Sequence, residues 1–251
     1  MEIGQGDFYT VSGWVDDETL LYITELSNGS NVYAYNLRTG NSKLLFKSKY
    51  PIVSVKISPS KEHILIHSSP TTNKARIVIL DQEGKEIFSR EIPSAEVEFR
   101  WNPFDSNIIL VSSFTENWDF STFKLNIADK NLLEVSLPEP FAYWSGVGQL
   151  LYLDWSEEVS PLFADLKKID ILRNSSETIF QDIYHVDSFK DIFMTITVNE
   201  ANQEAATYQF FSHSMEELYS FTTSHLSRFS DWLIPYYDYL PASNSFLTFR
   251  P

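Results

Sequence analysis

Two stretches of the sequence place a tryptophan among carboxylates. Residues 116–119 read Glu-Asn-Trp-Asp, and residues 154–158 read Asp-Trp-Ser-Glu-Glu. Large aromatic rings are depleted from polar loops unless they pack or bind, and an aromatic face flanked by carboxylates suits a sugar, a cationic group or a peptide. The candidate ligand-binding residues are therefore Trp118, Asp119, Asp154, Trp155, Glu157 and Glu158. The alternative is that each tryptophan packs on the rim of its own sheet.

The residues that carry the commoner catalytic chemistries are missing or poorly spaced. The chain has no cysteine, which excludes thiolate nucleophiles, disulfides and cysteine zinc sites. Ser145 lies in a Trp-Ser-Gly-Val-Gly stretch, which differs from the Gly-x-Ser-x-Gly nucleophile elbow. His63 and His67 would share one strand face with Leu65 between them, and this arrangement favours a surface or interblade role over metal binding. The sequence therefore predicts no catalytic residue, no metal and no cofactor.

The charge balance limits the partners of the protein. The formal net charge is −15, from 34 acidic and 19 basic residues, and no basic cluster compensates for it. Such a surface repels nucleic acid and anionic lipid headgroups. The chain also contains no apolar run of the roughly 18 residues that span a bilayer. We therefore expect neither nucleic acid nor membrane as a direct partner, apart from a lipid anchor preceding this sequence.

The elements that must position these residues recur along the chain. Anchor residues that end an apolar strand are spaced by about 43 residues, the length of a propeller blade: Trp14, Ile57, Trp101, Trp144 and Val186. After each anchor come a polar turn, an apolar strand, a longer loop, an alternating strand, a second turn and a short strand. Four strands and two tight turns in each period predict a four-stranded blade.

The predicted fold is all-β, a β-propeller of about six blades with four antiparallel strands each. We expect residues 1–251 to form one domain, with repeats at about 7–50, 51–94, 95–138, 139–181 and 182–227 and a partial sixth at 228–251. The sixth blade lacks two outer strands, and a five-bladed ring with a C-terminal extension is the alternative. Because Trp14, Trp101 and Trp144 recur at the blade period, we predict that all three are buried between blades.

The same topology groups the two tryptophan loops. In a four-stranded blade, the loop after the second strand lies on the same face as the loops between blades. The loops after the second strand are residues 25–31, 68–74, 114–119, 154–163 and 199–204. Trp118 and Trp155 would thus lie in neighbouring blades on one acidic face, close enough to bracket one ligand.

Two segments resemble known propeller families. Residues 57–66, Ile-Ser-Pro-Ser-Lys-Glu-His-Ile-Leu-Ile, resemble the strand–turn–strand signature of TolB-like and peptidase-type propellers. Residues 13–22, Gly-Trp-Val-Asp-Asp-Glu-Thr-Leu-Leu-Tyr, resemble the YqgU-type six-bladed propellers of Firmicutes, a lipoprotein family without an assigned activity. The resemblance implies an exported, lipid-anchored protein and offers no catalytic residues. Residues 1–7 show no signal-peptide pattern, so a signal and its anchor would have to precede them.

These observations leave two functional hypotheses. The first is a non-enzymatic extracytoplasmic propeller that binds a protein or glycan partner at the acidic loop face. The second is a carbohydrate-active lyase or hydrolase that uses carboxylates at the same face. An enzyme requires two carboxylates, or a carboxylate and a histidine, within reach of one substrate.

Overall fold

The computed structural model describes residues 4–155, 163–198, 205–224 and 237–248. These residues form β-strands and one short 3-10 turn at Pro241–Ser243. The chain divides into two compact units, Met1–Ser136 and Leu137–Pro251.

The first unit contains three antiparallel sheets of four strands, each with its strands in chain order. The strands are β1 (Asp7–Trp14), β2 (Thr19–Glu25), β3 (Ser30–Asn36), β4 (Ser42–Ser48), β5 (Ile52–Ile57), β6 (His63–Thr71), β7 (Lys74–Asp81), β8 (Glu86–Pro93), β9 (Glu96–Trp101), β10 (Ile108–Phe114), β11 (Phe120–Asn126) and β12 (Asn131–Glu134). Consecutive strands of each sheet are joined as hairpins, so every pairing is antiparallel.

Two hydrophobic cores hold these three sheets together. Ile64 and Ile66 of β6 pack in the core shared with the first sheet, whereas Leu65 packs in the core shared with the third sheet. Successive side chains of a strand point to opposite faces, so both faces of β6 are buried. This burial accounts for the unbroken apolar run at the second strand of the repeat.

The described residues of the second unit form two antiparallel sheets of four strands and one hairpin. Its strands are β13 (Ala142–Trp144), β14 (Gln149–Asp154), β15 (Ala164–Asp170), β16 (Ser175–Ile183), β17 (His185–Ser188), β18 (Ile192–Val198), β19 (Ala205–Ser212), β20 (Glu217–Ser224), β21 (Tyr237–Leu240) and β22 (Ser245–Thr248). The all-β expectation and the four-stranded antiparallel blade are confirmed by these sheets. The fourth sheet runs to Ile183, two residues beyond the repeat end predicted at residue 181. That residues 1–251 form one domain stays a prediction.

The three tryptophan anchors end the first strands of their sheets, but they are not equally buried. Trp144 is 3% exposed, and half-buried Trp101 stacks on His63 of the second sheet with ring centroids 6.4 Å apart. Trp14 is 49% exposed, so its predicted burial is wrong. A β-bulge between Val11 and Gly13 shifts the register of β1, and Gly13, at φ +134°, approaches Ile57 of the second sheet. The glycine therefore takes the position between sheets that the tryptophan was expected to fill.

Candidate ligand-binding surface

Trp118 lies in a closed turn after β10. The Thr115 N–H donates to the Asp119 carbonyl oxygen at 2.8 Å, and the Trp118 N–H donates to the Thr115 carbonyl oxygen at 3.1 Å. The turn requires φ +67° at Trp118, a left-handed conformation that is rare for bulky residues. The indole is 67% exposed and touches only the edge of Phe114 among described aromatic rings, at 5.9 Å between centroids. A strained backbone that presents an exposed ring is a feature that functional sites favour.

The carboxylates beside Trp118 are exposed as the sequence predicts. Residues 115–120 are all exposed, and the Thr115 hydroxyl lies 3.5 Å from Asp119 Oδ2, at the limit of a hydrogen bond. Glu116 and Asp119 therefore leave most of their hydrogen-bonding capacity to solvent or to a ligand. We refer to residues 115–120 as the Trp118 surface.

The second predicted loop differs. Trp155 is 39% exposed, and its backbone N–H donates to Glu139 Oε1 at 3.3 Å. Asp154 is only 8% exposed and forms an ion pair with Lys167 of β15. Its charge is therefore compensated by a lysine, which leaves Asp154 less available to a ligand than Asp119, and its place in the candidate site stays a prediction. Glu157 and Glu158 lie outside the described residues.

Glu139 is a half-buried acid beside this second loop. Burial raises the pKa of its carboxyl above the usual range, the hydrogen bond from the Trp155 N–H opposes the rise, and the charge of Asp154 adds to it. Because Trp118 belongs to the first unit and Trp155 to the second, a shared ligand site for the two tryptophans stays a prediction.

The acidic turn of residues 16–18 serves the fold. Asp16 Oδ1 accepts hydrogen bonds from the backbone N–H groups of Glu18 and Thr19 at 2.8 and 2.7 Å. These bonds, that from Glu18 above all, lower the pKa of Asp16 because they favour the charged form. The geometry agrees with the polar turn that the sequence predicts after each anchor residue.

A cavity of about 230 Å³ lies between the second and third sheets of the first unit. Lys56 of β5 bridges to β9, where its Nζ donates to Glu98 Oε1 at 3.2 Å and to the Phe99 carbonyl oxygen at 2.9 Å. Buried His67 also lines the cavity, and its ring meets Phe99 edge-on at 5.4 Å. Burial, with the charge of Lys56 as a second cause, lowers the pKa of His67 to about 4. The imidazole is therefore neutral at neutral pH.

Sequence reasoning missed this cavity. Of the surface or interblade role predicted for His63 and His67, the structure shows the interblade one, since both rings face aromatic rings of the third sheet. The overlooked signal is the pair Ser54 and Lys56, two polar residues at alternate positions of an otherwise apolar first strand. Lys56 meets its partner Glu98 only across 42 residues of sequence, and no local pattern encodes that contact.

Two further observations bear on the class of site. Within the described ranges, no group of three or more His, Asp or Glu residues is placed to hold a metal ion. In the part of the chain that the structure describes, no helix has the length and apolar character of a membrane span.

Repeated four-stranded antiparallel sheets, each with its strands in chain order, define the β-propeller class. Residues 36–251 match the model of the YqgU-like 6-bladed β-propeller domain, and the chain belongs to this family. This membership confirms the resemblance seen in the sequence.

Individual relatives agree with the family. The uncharacterised lipoprotein YqgU of Bacillus subtilis (strain 168) is 25% identical over 240 residues, which cover 95% of this chain and 66% of that protein. The chain thus spans just under two thirds of the length of this relative. A crystal structure of an uncharacterised protein of Listeria monocytogenes is similar with a TM-score of 0.84 and 22% identity, covering 99% of this chain and 76% of the other. A putative TolB of Agrobacterium tumefaciens gives a TM-score of 0.51 and 12% identity, covering 88% and 84%. The two structures show the fold alone.

Proposed function

We propose that this chain is a non-enzymatic, extracytoplasmic binding propeller that recognises a protein or a glycan through the Trp118 surface. The observation that carries the proposal is the exposed indole of Trp118, held outward by a closed turn at positive φ. The lipoprotein relative in Bacillus subtilis supports a location outside the cytoplasm with a lipid anchor.

The chemistry of the Trp118 surface suits such partners. The indole offers a flat apolar face for a sugar ring or an aliphatic side chain, and Glu116 and Asp119 accept hydrogen bonds from hydroxyl or N–H groups. The excess of acidic residues, 34 against 19 basic, favours neutral or cationic partners over anionic ones. Any ionic part of the binding weakens as salt rises.

Two arrays test the proposal, one of neutral, aminated and acidic oligosaccharides and one of lysine-containing peptides. We expect the purified chain to bind one array and Trp118→Ala to lose that binding, because truncation removes the contact face. Trp14→Ala is the matched control, since Trp14 is a second exposed tryptophan of the same unit. Binding that survives Trp118→Ala, or no binding to either array, would overturn the proposal.

A carboxylate enzyme at Trp155 is the second candidate. The observation that favours it is the raised pKa of Glu139 near the charge of Asp154, because unequal carboxylates divide acid and base roles. Asp154 is already engaged by Lys167, so the carboxylate that would have to act on a substrate is held by the fold. Binding therefore remains the first proposal.

A further inference from the structure

The cavity between the second and third sheets lies at the same end of these sheets as the Trp118 surface. Ser94 and Ala95 line the cavity. The Ala95 N–H donates to the Phe114 carbonyl oxygen at 2.8 Å, and the Phe114 N–H donates to Ser94 Oγ at 3.3 Å. Because Phe114 also contacts the ring of Trp118, one residue joins the cavity wall to the exposed indole.

His67 gives the cavity hydrogen-bonding groups that the fold does not use. The side chain is more than nine-tenths buried, and its ring nitrogens bond to none of the described residues. Ser54, which also lines the cavity, is paired with His67 across β5 and β6. The ring nitrogens are not among the fully enclosed unpaired atoms of the described residues, so a group bound in the cavity can reach them and pair with the imidazole.

The charges that line the cavity are of both signs, Lys56 and Lys74 with Glu96 and Glu98. The ammonium of Lys56 is compensated by Glu98, and at the rim Lys74 pairs with Glu91 at 3.4 Å. An anion would meet Glu98 and a cation would meet Lys56. A neutral imidazole has one donor and one acceptor nitrogen, the ammonium only donates and the carboxylate only accepts. Hydroxyl groups, which both donate and accept, match all three.

The remaining walls and the size define the ligand further. Val53, Ala75 and Val97 supply apolar surface for the C–H groups of a ring. The volume of about 230 Å³ is below the roughly 300–1,000 Å³ of sites for drug-sized molecules. The cavity therefore admits one ring and leaves the rest of a chain outside.

We infer that this cavity is a saccharide subsite, which seats one neutral, hydroxyl-bearing ring against His67 and Lys56 while the neighbouring unit of the same glycan lies on Trp118. The inference rests on the proposed function of the Trp118 surface and names its ligand as a glycan, where a peptide was the other possibility.

Saturation-transfer NMR tests it, with methyl glycosides of neutral hexoses, with glucosamine and with glucuronic acid as probes. We expect the neutral glycosides to bind and both charged sugars to bind more weakly. His67→Phe keeps an aromatic ring but removes both nitrogens. It should weaken the binding of the neutral probes about tenfold, as expected for one lost hydrogen bond. Val53→Trp covers the cavity from a largely exposed position and should abolish binding even where His67→Phe perturbs the fold. Trp14→Ala should bind like the parent protein.

The outcomes separate the two ideas. If oligosaccharides bind through Trp118 but His67→Phe and Val53→Trp bind normally, the subsite is wrong and the proposed function stands. Peptide binding alone that requires Trp118 also refutes the subsite and leaves the proposed function. Binding that ignores Trp118 but is lost in Val53→Trp refutes the proposed function. Equal or tighter binding of the charged sugars overturns the assigned ligand class.

Discussion

The turn after β10 and the segment after β14 contain the same two residue types in opposite order. After β10, Trp118 precedes Asp119, and both side chains are exposed. After β14, Trp155 follows Asp154, which is the last residue of the strand and is buried in an ion pair with Lys167. The comparison teaches that an acid beside a tryptophan is free to bind only when no neighbouring strand supplies a cation to it.

The sharpest test of this comparison removes each aspartate. Asp154→Ala removes the ion pair with Lys167 in a largely buried place, and we expect a loss of about 3 kcal/mol in unfolding free energy, the lower end for a broken buried pair. Asp119→Ala, at an exposed position, should stay within about 0.5 kcal/mol. Urea unfolding followed by tryptophan fluorescence measures both. Equal losses would show that the two aspartates are equivalent.

His67, which lines the cavity, and Glu139, which lies beside Trp155, should change the unfolding free energy with pH in opposite directions. The folded protein protonates His67 only near pH 4, whereas the unfolded chain does so near pH 6.5, so acidification across this window favours unfolding. This lowering of the pKa of His67 to about 4 corresponds to about 3 kcal/mol. Urea unfolding between pH 7 and pH 4 should show this loss, and His67→Phe should flatten it.

Glu139 has the opposite effect on the pH dependence of the unfolding free energy. Burial raises its folded pKa above 4.5, so this group lowers stability as the pH rises through the window above 4.5. Glu139→Gln, whose amide oxygen still accepts the Trp155 backbone N–H, should therefore gain stability at neutral pH and none below pH 4.5.

A pH profile of His67→Phe that is as steep as that of the parent chain would contradict the assignment to His67.

The smallest expected effect concerns the backbone of Trp118. A left-handed conformation costs an L residue about 1–2 kcal/mol and glycine almost nothing. Trp118→Gly should therefore raise the unfolding free energy by about 1 kcal/mol, while ligand binding is lost. Trp118→Ala keeps the backbone cost and is the control. If Trp118→Gly is less stable than Trp118→Ala, the positive φ carries no strain. If Trp118→Ala is less stable than the parent chain, the indole supports the turn and is not held out for a ligand.

The sequence was sufficient for the sheets because its information on them is local. The polar turns and the apolar second strands recur at the blade period, and each hairpin joins residues close in the chain. Every residue of β10 is buried, as its unbroken apolar start predicts. The exposure of Trp118 and Asp119 also follows from a polar turn after such a strand.

The tertiary structure decided what lies between the sheets. A bulge at Gly13 exposes Trp14, although the same position in the fourth sheet buries Trp144. Lys56 meets Glu98 across 42 residues of sequence, and the ring of His67 meets Phe99 of the next repeat. The 43-residue period repeats the backbone hydrogen bonds of each sheet but not the side chains that face the next one. The charge state of His67 and the cavity beside it therefore depend on packing between sheets, which no single repeat specifies.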